Sequence, residues 1–221
     1  MLFRSIMTET IFVPAYWPFF NTHEWRRFDY TTTGDPVEPI TSVFSYDPGT
    51  NSMLYDDYSS AGVWRDRWYY QYRPGFGVAE WRDDYPNGKK VVMTDPPIGW
   101  GNLQPIGSVY ENYPKMNPFK SWPPSLAEGV QIVTYEKHLS NFLVACGITY
   151  TDVLQFAYLQ SWNGKPATGA RYWMALGVGP VAVQWLAQDP NDKNKIIQTA
   201  RLDAVVTHVN GGANGASRSQ A

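Results

Sequence analysis

Short runs of aromatic and β-branched residues, each stopped by proline, glycine or asparagine, constrain this sequence more than any other feature. Residues 63–72 and 78–83 are two such runs, and the Asn-Gly pair that follows within residues 85–88 favours a tight hairpin turn. An aromatic share of 16% with 17 prolines and 18 glycines suits pleated strands joined by turns. The sequence therefore predicts an all-β fold, or a β-rich fold with minor helix. We expect an antiparallel curved sheet that forms a half-barrel or a barrel.

Two hairpins of the sequence share one layout. Residues 67–81 read RWYYQYRPGFGVAEW, and residues 171–185 read RYWMALGVGPVAVQW. Each is an aromatic run, a Gly-x-Gly turn and a second run that ends in tryptophan, which suggests a duplicated aromatic hairpin. Because each Gly-x-Gly lies between two strands and not between a strand and a helix, the pattern argues against a dinucleotide site.

The length and the distribution of prolines predict one domain. A chain of 221 residues can form one large β domain and bury roughly 70% of the surface that it exposes when unfolded. We expect a single β-rich domain over residues 1–209 and a flexible tail over residues 210–221. Residues 95–124 hold seven of the prolines, which predicts a long Pro/Gly-rich loop within that domain.

Charge and composition exclude several classes of partner and cofactor. A net charge of −2 provides no positive field for a phosphate backbone, so nucleic acid is not an expected partner. One cysteine, Cys146, permits no internal disulfide, and three separated histidines predict neither a metal site nor a cofactor. No stretch approaches the ~20 apolar residues of a transmembrane segment, and residues 1–14 show no clear export signal. Either Met1 or Met7 fits the start of the chain.

Four blocks resemble a loose group of bacterial cell-envelope, lipoprotein-like β-domains. They are Tyr-Trp-Pro-Phe at residues 16–19, Trp25, the segment 151–154, and the aromatic strand with Gly-Val-Gly at residues 172–181. The resemblance covers about two-thirds of the chain. It implies a half-barrel or open curved sheet with a concave apolar face, and a location in the cell envelope. It implies little about activity, because much of the group has no assigned function.

Aromatic side chains are the expected ligand-binding residues. Indole and phenol rings stack on sugars and planar ligands, and their polar tips form hydrogen bonds at a cleft. Strand alternation places Trp68 and Tyr70 on one face and Arg67 and Tyr69 on the other. Core filling is the alternative role, and for the loop tryptophans the alternative is a plug at the end of a barrel. The candidates are Trp68, Tyr70, Trp81, Trp100, Trp122, Trp173 and Trp185.

Candidate catalytic residues are fewer. Glu136 and His138 would share one face of a strand and form a general acid–base pair, with a solvated strand end as the alternative. Glu80 and Arg171 lie in the two aromatic hairpins, where the expected role of the arginine is a cross-strand ion pair.

Adjacent acids at residues 56–57 and 83–84 offer a carboxylate pair for glycoside hydrolysis, or else form turns. Adjacent acids at strand ends more often form turns or remain as solvated charges, so a catalytic role is not the expected one.

Three functions fit these features. The first is a binding or envelope-associated module whose aromatic-lined cleft holds a glycan, a lipid or an apolar small molecule. The second is a cofactor-free enzyme that acts on a planar or apolar small molecule on the same scaffold. The third is a structural assembly protein of a particle or surface layer, for which a homo-oligomer is expected.

Overall fold

The computed structural model of the chain describes residues 9–18, 24–32, 40–88, 90–93, 97–119 and 127–210. Within them the protein consists of antiparallel strands and two short 3-10 helices, η1 (Val13–Tyr16) and η2 (Pro86–Gly88), with no α-helix. The predicted all-β class is therefore confirmed. The strands are β1 (Thr10–Phe12), β2 (Glu24–Thr32), β3 (Thr41–Asp47), β4 (Ser52–Tyr58), β5 (Trp64–Arg73), β6 (Gly77–Asp84), β7 (Lys90–Met93), β8 (Ile98–Gly99), β9 (Leu103–Pro105), β10 (Val109–Asn112), β11 (Lys115–Phe119), β12 (Ala127–Leu143), β13 (Thr149–Trp162), β14 (Thr168–Ala175), β15 (Gly179–Asp189), β16 (Asp192–Gln198) and β17 (Leu202–Asn210).

Twelve of these strands form a nearly closed barrel. Hydrogen-bonded neighbours lead from β12 through β11, β7, β6, β5, β4, β3, β2, β17, β15 and β14 to β13, which pairs with β12 again. The ring contains two meanders of the same design. The first runs from β2 to β7, and the second runs from β11 to β15 and then β17.

The two Gly-x-Gly hairpins occupy equivalent places in these meanders. The hairpin β5–β6 lies opposite β14–β15, because six steps around the ring separate β5 from β14 and β6 from β15. Both turns have the same backbone shape, with φ of +80° and +97° at Gly75 and Gly77 and of +65° and +112° at Gly177 and Gly179. Only glycine adopts such values readily. Chain order and turn geometry together indicate an approximate two-fold rotation about the barrel axis.

A plug, which we define as residues 9–18 and 97–108, closes one end of the barrel. Its two parts are held together by the β1–β9 pair and by the Val13 N–H, which donates to the Asn102 carbonyl at 2.8 Å. The plug also touches the first Gly-x-Gly turn, where a Cβ atom on Gly77 would lie 1.7 Å from the carbonyl oxygen of Gly101. Close backbone contact thus requires glycine at position 77.

The barrel is left unsealed by a seam at the plug end. There β6 pairs with the short β8, β12 pairs with β10, and β8 and β10 do not pair with each other. Side chains bridge the gap instead. The Asn112 amide donates to the Pro97 carbonyl at 2.8 Å and to Gln131 Oε1 at 3.4 Å, and the Gly99 N–H donates to the same Gln131 oxygen at 3.3 Å.

The structure departs from the expected organisation of the chain at residues 95–124. Residues 95–124 were expected to form a long loop, yet their described part contains β8, β9, β10 and β11. These strands have two to five residues, too few for a readable alternation. The expected tail lies outside the described residues from position 211 onward. In the described ranges no helix is long and apolar enough to cross a membrane.

Candidate functional site

The barrel encloses a cavity of about 390 Å³, within the range of roughly 300–1,000 Å³ typical of small-molecule sites. Both halves of the barrel and the plug contribute to its walls, which are mainly aromatic and acidic. The described lining residues are Trp17, Phe44, Tyr55, Asp57, Asp66, Trp68, Tyr70, Glu80, Asp83, Tyr85, Ile98, Trp100, Tyr158, Gln160, Trp162, Tyr172, Met174, Pro180 and Trp185.

Two tryptophans of the plug form the floor of this cavity. The Trp17 ring lies 5.5 Å from that of Trp100 and 4.7 Å from that of Tyr70, and Trp100 lies 4.7 Å from Tyr158 on the opposite wall. Both indoles are buried, with 6% and 3% of their surfaces exposed. Trp100 therefore lies in the plug at the end of the barrel, which is the alternative that the sequence offered for it, and its ring also lines the cavity.

One wall is acidic. Asp57 on β4 lies directly opposite Asp66 on β5, and Asp83 on β6 lies opposite Trp68. Glu80 belongs to the same wall although it is three residues from Asp83, a spacing that puts side chains on opposite faces of a regular strand. A register shift between β5 and β6 makes Trp81 an extra, bulged residue, which turns both Glu80 and Asp83 into the barrel.

Burial favours the protonated form of Glu80 and Asp83. Desolvation is the largest cause that raises the pKa of both groups, and the charge of Glu80 raises the pKa of Asp83 further. Two acids this close cannot both ionise readily, so ionisation of one opposes ionisation of the other.

The pKa of Asp57 also lies near neutral pH. Burial raises its pKa to about 7, against the opposing effect of hydrogen bonds from the Ser42 and Tyr55 hydroxyls. Burial likewise raises the pKa of Asp66, which Arg65 partly offsets. The acidic wall can therefore gain or lose charge close to physiological pH.

Several polar atoms at the cavity have no partner among the described residues. The indole N–H groups of Trp17 and Trp100 are buried without an acceptor, and Asp83 Oδ1 is buried without a donor. The other Asp83 oxygen accepts from the Tyr85 hydroxyl at 3.3 Å. Since an unpaired buried polar group costs roughly 1–3 kcal/mol, these atoms lower the stability of the ligand-free fold.

The opposite wall is aromatic, and the approximate two-fold symmetry shows how the walls differ. In the first half, Asp83 lies opposite Trp68, and Trp68 comes two residues before Tyr70 on its own strand. In the second half, Trp185 lies opposite Ala170, and Ala170 comes two residues before Tyr172. An acid in one half thus takes the place of an indole in the other. The cavity is polar on the β4–β6 side and aromatic on the β13–β15 side.

The structure brings four of the seven predicted ligand-binding aromatics to this cavity: Trp68, Tyr70, Trp100 and Trp185. Two others do not line it. Trp81 packs on the Tyr69 ring at 5.6 Å, and its indole N–H donates to Ser52 at 3.0 Å. Trp173 stacks on Phe142 at 5.7 Å and donates to Gln155. Trp122 lies outside the described residues.

Among the candidate catalytic residues, only Glu80 faces the cavity. Arg67 and Arg171 form ion pairs on the outer face of the barrel, Arg67 with Asp56 directly opposite it on β4, so the expected cross-strand role is met with acids other than Glu80. Arg171 holds Glu136 through two hydrogen bonds of 2.8 and 2.9 Å, and Arg67 holds Asp56 at 2.6 and 2.9 Å.

The expected Glu136–His138 pair is also wrong. A bulge at Glu136 interrupts the β12–β13 ladder and breaks the alternation on which the pairing depended. His138 belongs to a separate group at the plug, where its ring nitrogens lie 2.6 Å from Glu9 Oε1 and 2.6 Å from Asp152 Oδ1. The Tyr16 hydroxyl donates to the same Asp152 oxygen at 2.6 Å. We call these four residues the clasp, since they join the plug to β12 and β13.

The adjacent acids of the sequence divide between the two faces of the sheet. Asp57 and Asp83 enter the cavity, whereas Asp56 and Asp84 form outer ion pairs with arginines. Asp66, Trp17 and Tyr158 were not singled out from the sequence as site residues. Alternation with Trp68 and Tyr70 could have identified Asp66, but nothing local marks the other two.

In the part of the chain that the structure describes, no three His, Cys, Asp or Glu side chains are placed to hold a metal ion.

Comparisons with protein-family models, with curated proteins and with solved structures give no match to this chain.

Proposed function

We propose that this protein is a small-molecule binding module that holds an apolar or planar ligand inside its barrel. The observation that carries the proposal is the cavity of about 390 Å³, with aromatic rings on its floor and walls. Protein interiors pack as densely as organic crystals, so a void of this size is a feature that a ligand fills. The cell-envelope association suggested by the sequence resemblance belongs to the same proposal, and fractionation of the producing cells would test it.

The choice of a binding function over a core-filling role rests on the acids that line the void. A core built only for stability rarely buries carboxyl groups without a cation beside them. Here Asp57, Asp66, Glu80 and Asp83 line one side of the same void.

The test is ligand-dependent stability. Pools of glycans, fatty acids and planar aromatic compounds would be screened by thermal unfolding with tryptophan fluorescence, and a ligand at a hundred times its Kd should stabilise the fold by about 2.7 kcal/mol. Gln160 lines the cavity, so Gln160→Trp should fill it and abolish the shift. Val130→Trp is the matched control, because it adds the same indole to an exposed outer position, 41% exposed. Absence of a shift with every pool would contradict the proposal.

A cofactor-free enzyme is the second candidate, favoured by the buried carboxyl groups that line the cavity, where desolvation raises the pKa of Glu80 and Asp83 and raises that of Asp57 to about 7. A carboxylate with a raised pKa in an apolar cavity is a competent general base. 5-Nitrobenzisoxazole is a suitable planar probe: the base takes the ring C–H proton, its electron pair forms the nitrile, and the N–O bond breaks to give a coloured phenolate. Turnover by the wild type should rise as the pH increases through about 7. Turnover by Asp57→Asn should be at least tenfold lower. Turnover equal to that of the variant would reject this candidate.

A further inference from the structure

The charges that surround the cavity are all of one sign. Asp57, Asp66, Glu80 and Asp83 line it, and no lysine, arginine or histidine occurs among the described lining residues. Asp56, the neighbour of Asp57, differs from these acids. It points outward, and the Nε and Nη2 atoms of Arg67 donate hydrogen bonds to its two carboxylate oxygens. The fold therefore supplies cations to the outer acids and leaves the cavity acids to be neutralised by protons or by a bound group.

The second feature is independent of the acids. Indole and phenol rings of the floor and of the opposite wall surround the same space, and the negative face of an aromatic ring attracts cations. Asp83, with 4% of its surface exposed, keeps one oxygen without a donor among the described residues. A cationic group in the cavity would have the acidic wall on one side and aromatic rings on the other.

A bare metal ion fits these groups poorly. Hard cations take six or more oxygen ligands, or an octahedral set that includes water, whereas no three acidic or histidine groups in the described residues converge on one point. The space available is also that of a drug-sized molecule and not of an ion.

We infer that the ligand is an organic cation: a protonated amine or quaternary ammonium group carried on an apolar or planar body. The cationic head lies against the carboxyl groups of β4–β6, and the body lies against the rings of β13–β15 and the plug. This inference rests on the proposed binding function and names the class of ligand for the same cavity.

Proton release follows from this arrangement. Asp57 faces Asp66 across the strand pair, and Asp83 faces Glu80 and Tyr85. Arg65 is the cation that acts on Asp66 from its own strand. A bound cation favours the ionised form of each carboxyl group, so binding expels protons and strengthens as pH rises from 5 to 8.

A matched pair of probes tests the inference. The cation phenyltrimethylammonium and the neutral tert-butylbenzene have the same shape, carry no group that titrates between pH 5 and pH 8, and differ only in the charged nitrogen. Calorimetric titration at pH 8 should give at least about tenfold tighter binding of the cation, and its affinity should fall about tenfold at pH 5. The neutral probe should change little with pH.

Variants locate the effect. Asp83→Asn and Asp57→Asn should each weaken binding of the cation about tenfold and leave the neutral probe within about twofold. Glu111→Gln is the matched control, because it removes the same charge from an exposed outer position. Cooperative thermal unfolding of each variant without ligand, at or above the wild-type temperature, shows that the fold is kept.

The outcomes separate this inference from the proposed function. Equal affinity for the two probes, or binding of calcium or magnesium in competition with the cation, would overturn the inference. Binding of a neutral pool with no binding of the ammonium probe would also overturn it and leave the binding function standing. No binding by any probe or pool would remove both.

Discussion

Lowering the pH from 8 to 5 should stabilise the ligand-free protein, opposite to the usual effect of acid on a protein held by ion pairs. Asp57 is the group to examine first. Its pKa rises from an ordinary value of 3.8 to about 7 on folding, because the side chain is buried beside Asp66. The folded state therefore binds the proton more tightly than the unfolded state. The stabilisation is complete below about pH 4 and is lost as pH rises through about 7.

The size of the effect follows from the shift. One pKa unit corresponds to about 1.4 kcal/mol, so ionising Asp57 between pH 5 and pH 8 should lower the free energy of unfolding by about 3 kcal/mol. The raised pKa values of Glu80, Asp83 and His138 act in the same direction in this window. The lowered pKa of Asp152 matters only below about pH 4, because there the carboxylate becomes protonated.

Urea unfolding at pH 5, 6, 7 and 8 and constant ionic strength, followed by tryptophan fluorescence, measures this change. Asp57→Asn replaces the carboxyl group by a neutral one of the same shape. The variant should lose about 3 kcal/mol of the pH dependence and be more stable than the wild type at pH 8. A wild-type stability that does not change with pH, or an equal slope in the variant, would refute the reasoning.

Three further predictions concern the plug and the seam. Gly77→Ala should destabilise the fold by at least about 2 kcal/mol more than Gly75→Ala in urea unfolding, since both need positive φ but only position 77 contacts the plug backbone; equal losses would show that the contact is unimportant. His138→Gln should speed amide exchange in residues 9–18 and leave exchange in the barrel strands unchanged, because it removes the imidazole that joins Glu9 to Asp152 in the clasp. An equal increase in exchange over the whole chain would contradict a local role. Asn112→Ala should cost about 1–3 kcal/mol, as it leaves the Pro97 carbonyl unpaired across the seam, and a loss below about 0.5 kcal/mol would argue that the seam needs no bridge.

The sequence predicted what depends on alternation and on turns. The sequence indicated the antiparallel class, the common face of Trp68 and Tyr70, and the two Gly-x-Gly turns, because period-two patterns and positive-φ glycines are local signals. Trp100 was identified because a tryptophan within a proline-rich segment has no strand to occupy.

The features of the site that the sequence did not predict depend on bulges and on packing between segments far apart in the chain. The bulge at Trp81 brings Glu80 beside Asp83, and the bulge at Glu136 separates that residue from His138. Neither bulge has a sequence signature, and each reverses the face assigned to the residues beyond it. The floor needs Trp17 to meet Trp100, a contact between segments far apart in the chain, which no local pattern could indicate.

The central claim is that the cavity between the acidic and aromatic walls binds the ligand, and a crystal structure of a complex tests it most directly. Crystals grown at pH 8 with a bromine-substituted aryl trimethylammonium compound would locate the probe by anomalous scattering. We predict one bromine peak inside the barrel near the rings of β13–β15, with the ammonium group within about 6 Å of both the Asp83 carboxylate and an indole ring. A probe bound only outside the barrel, or an ammonium group turned away from the acidic wall, would contradict the account.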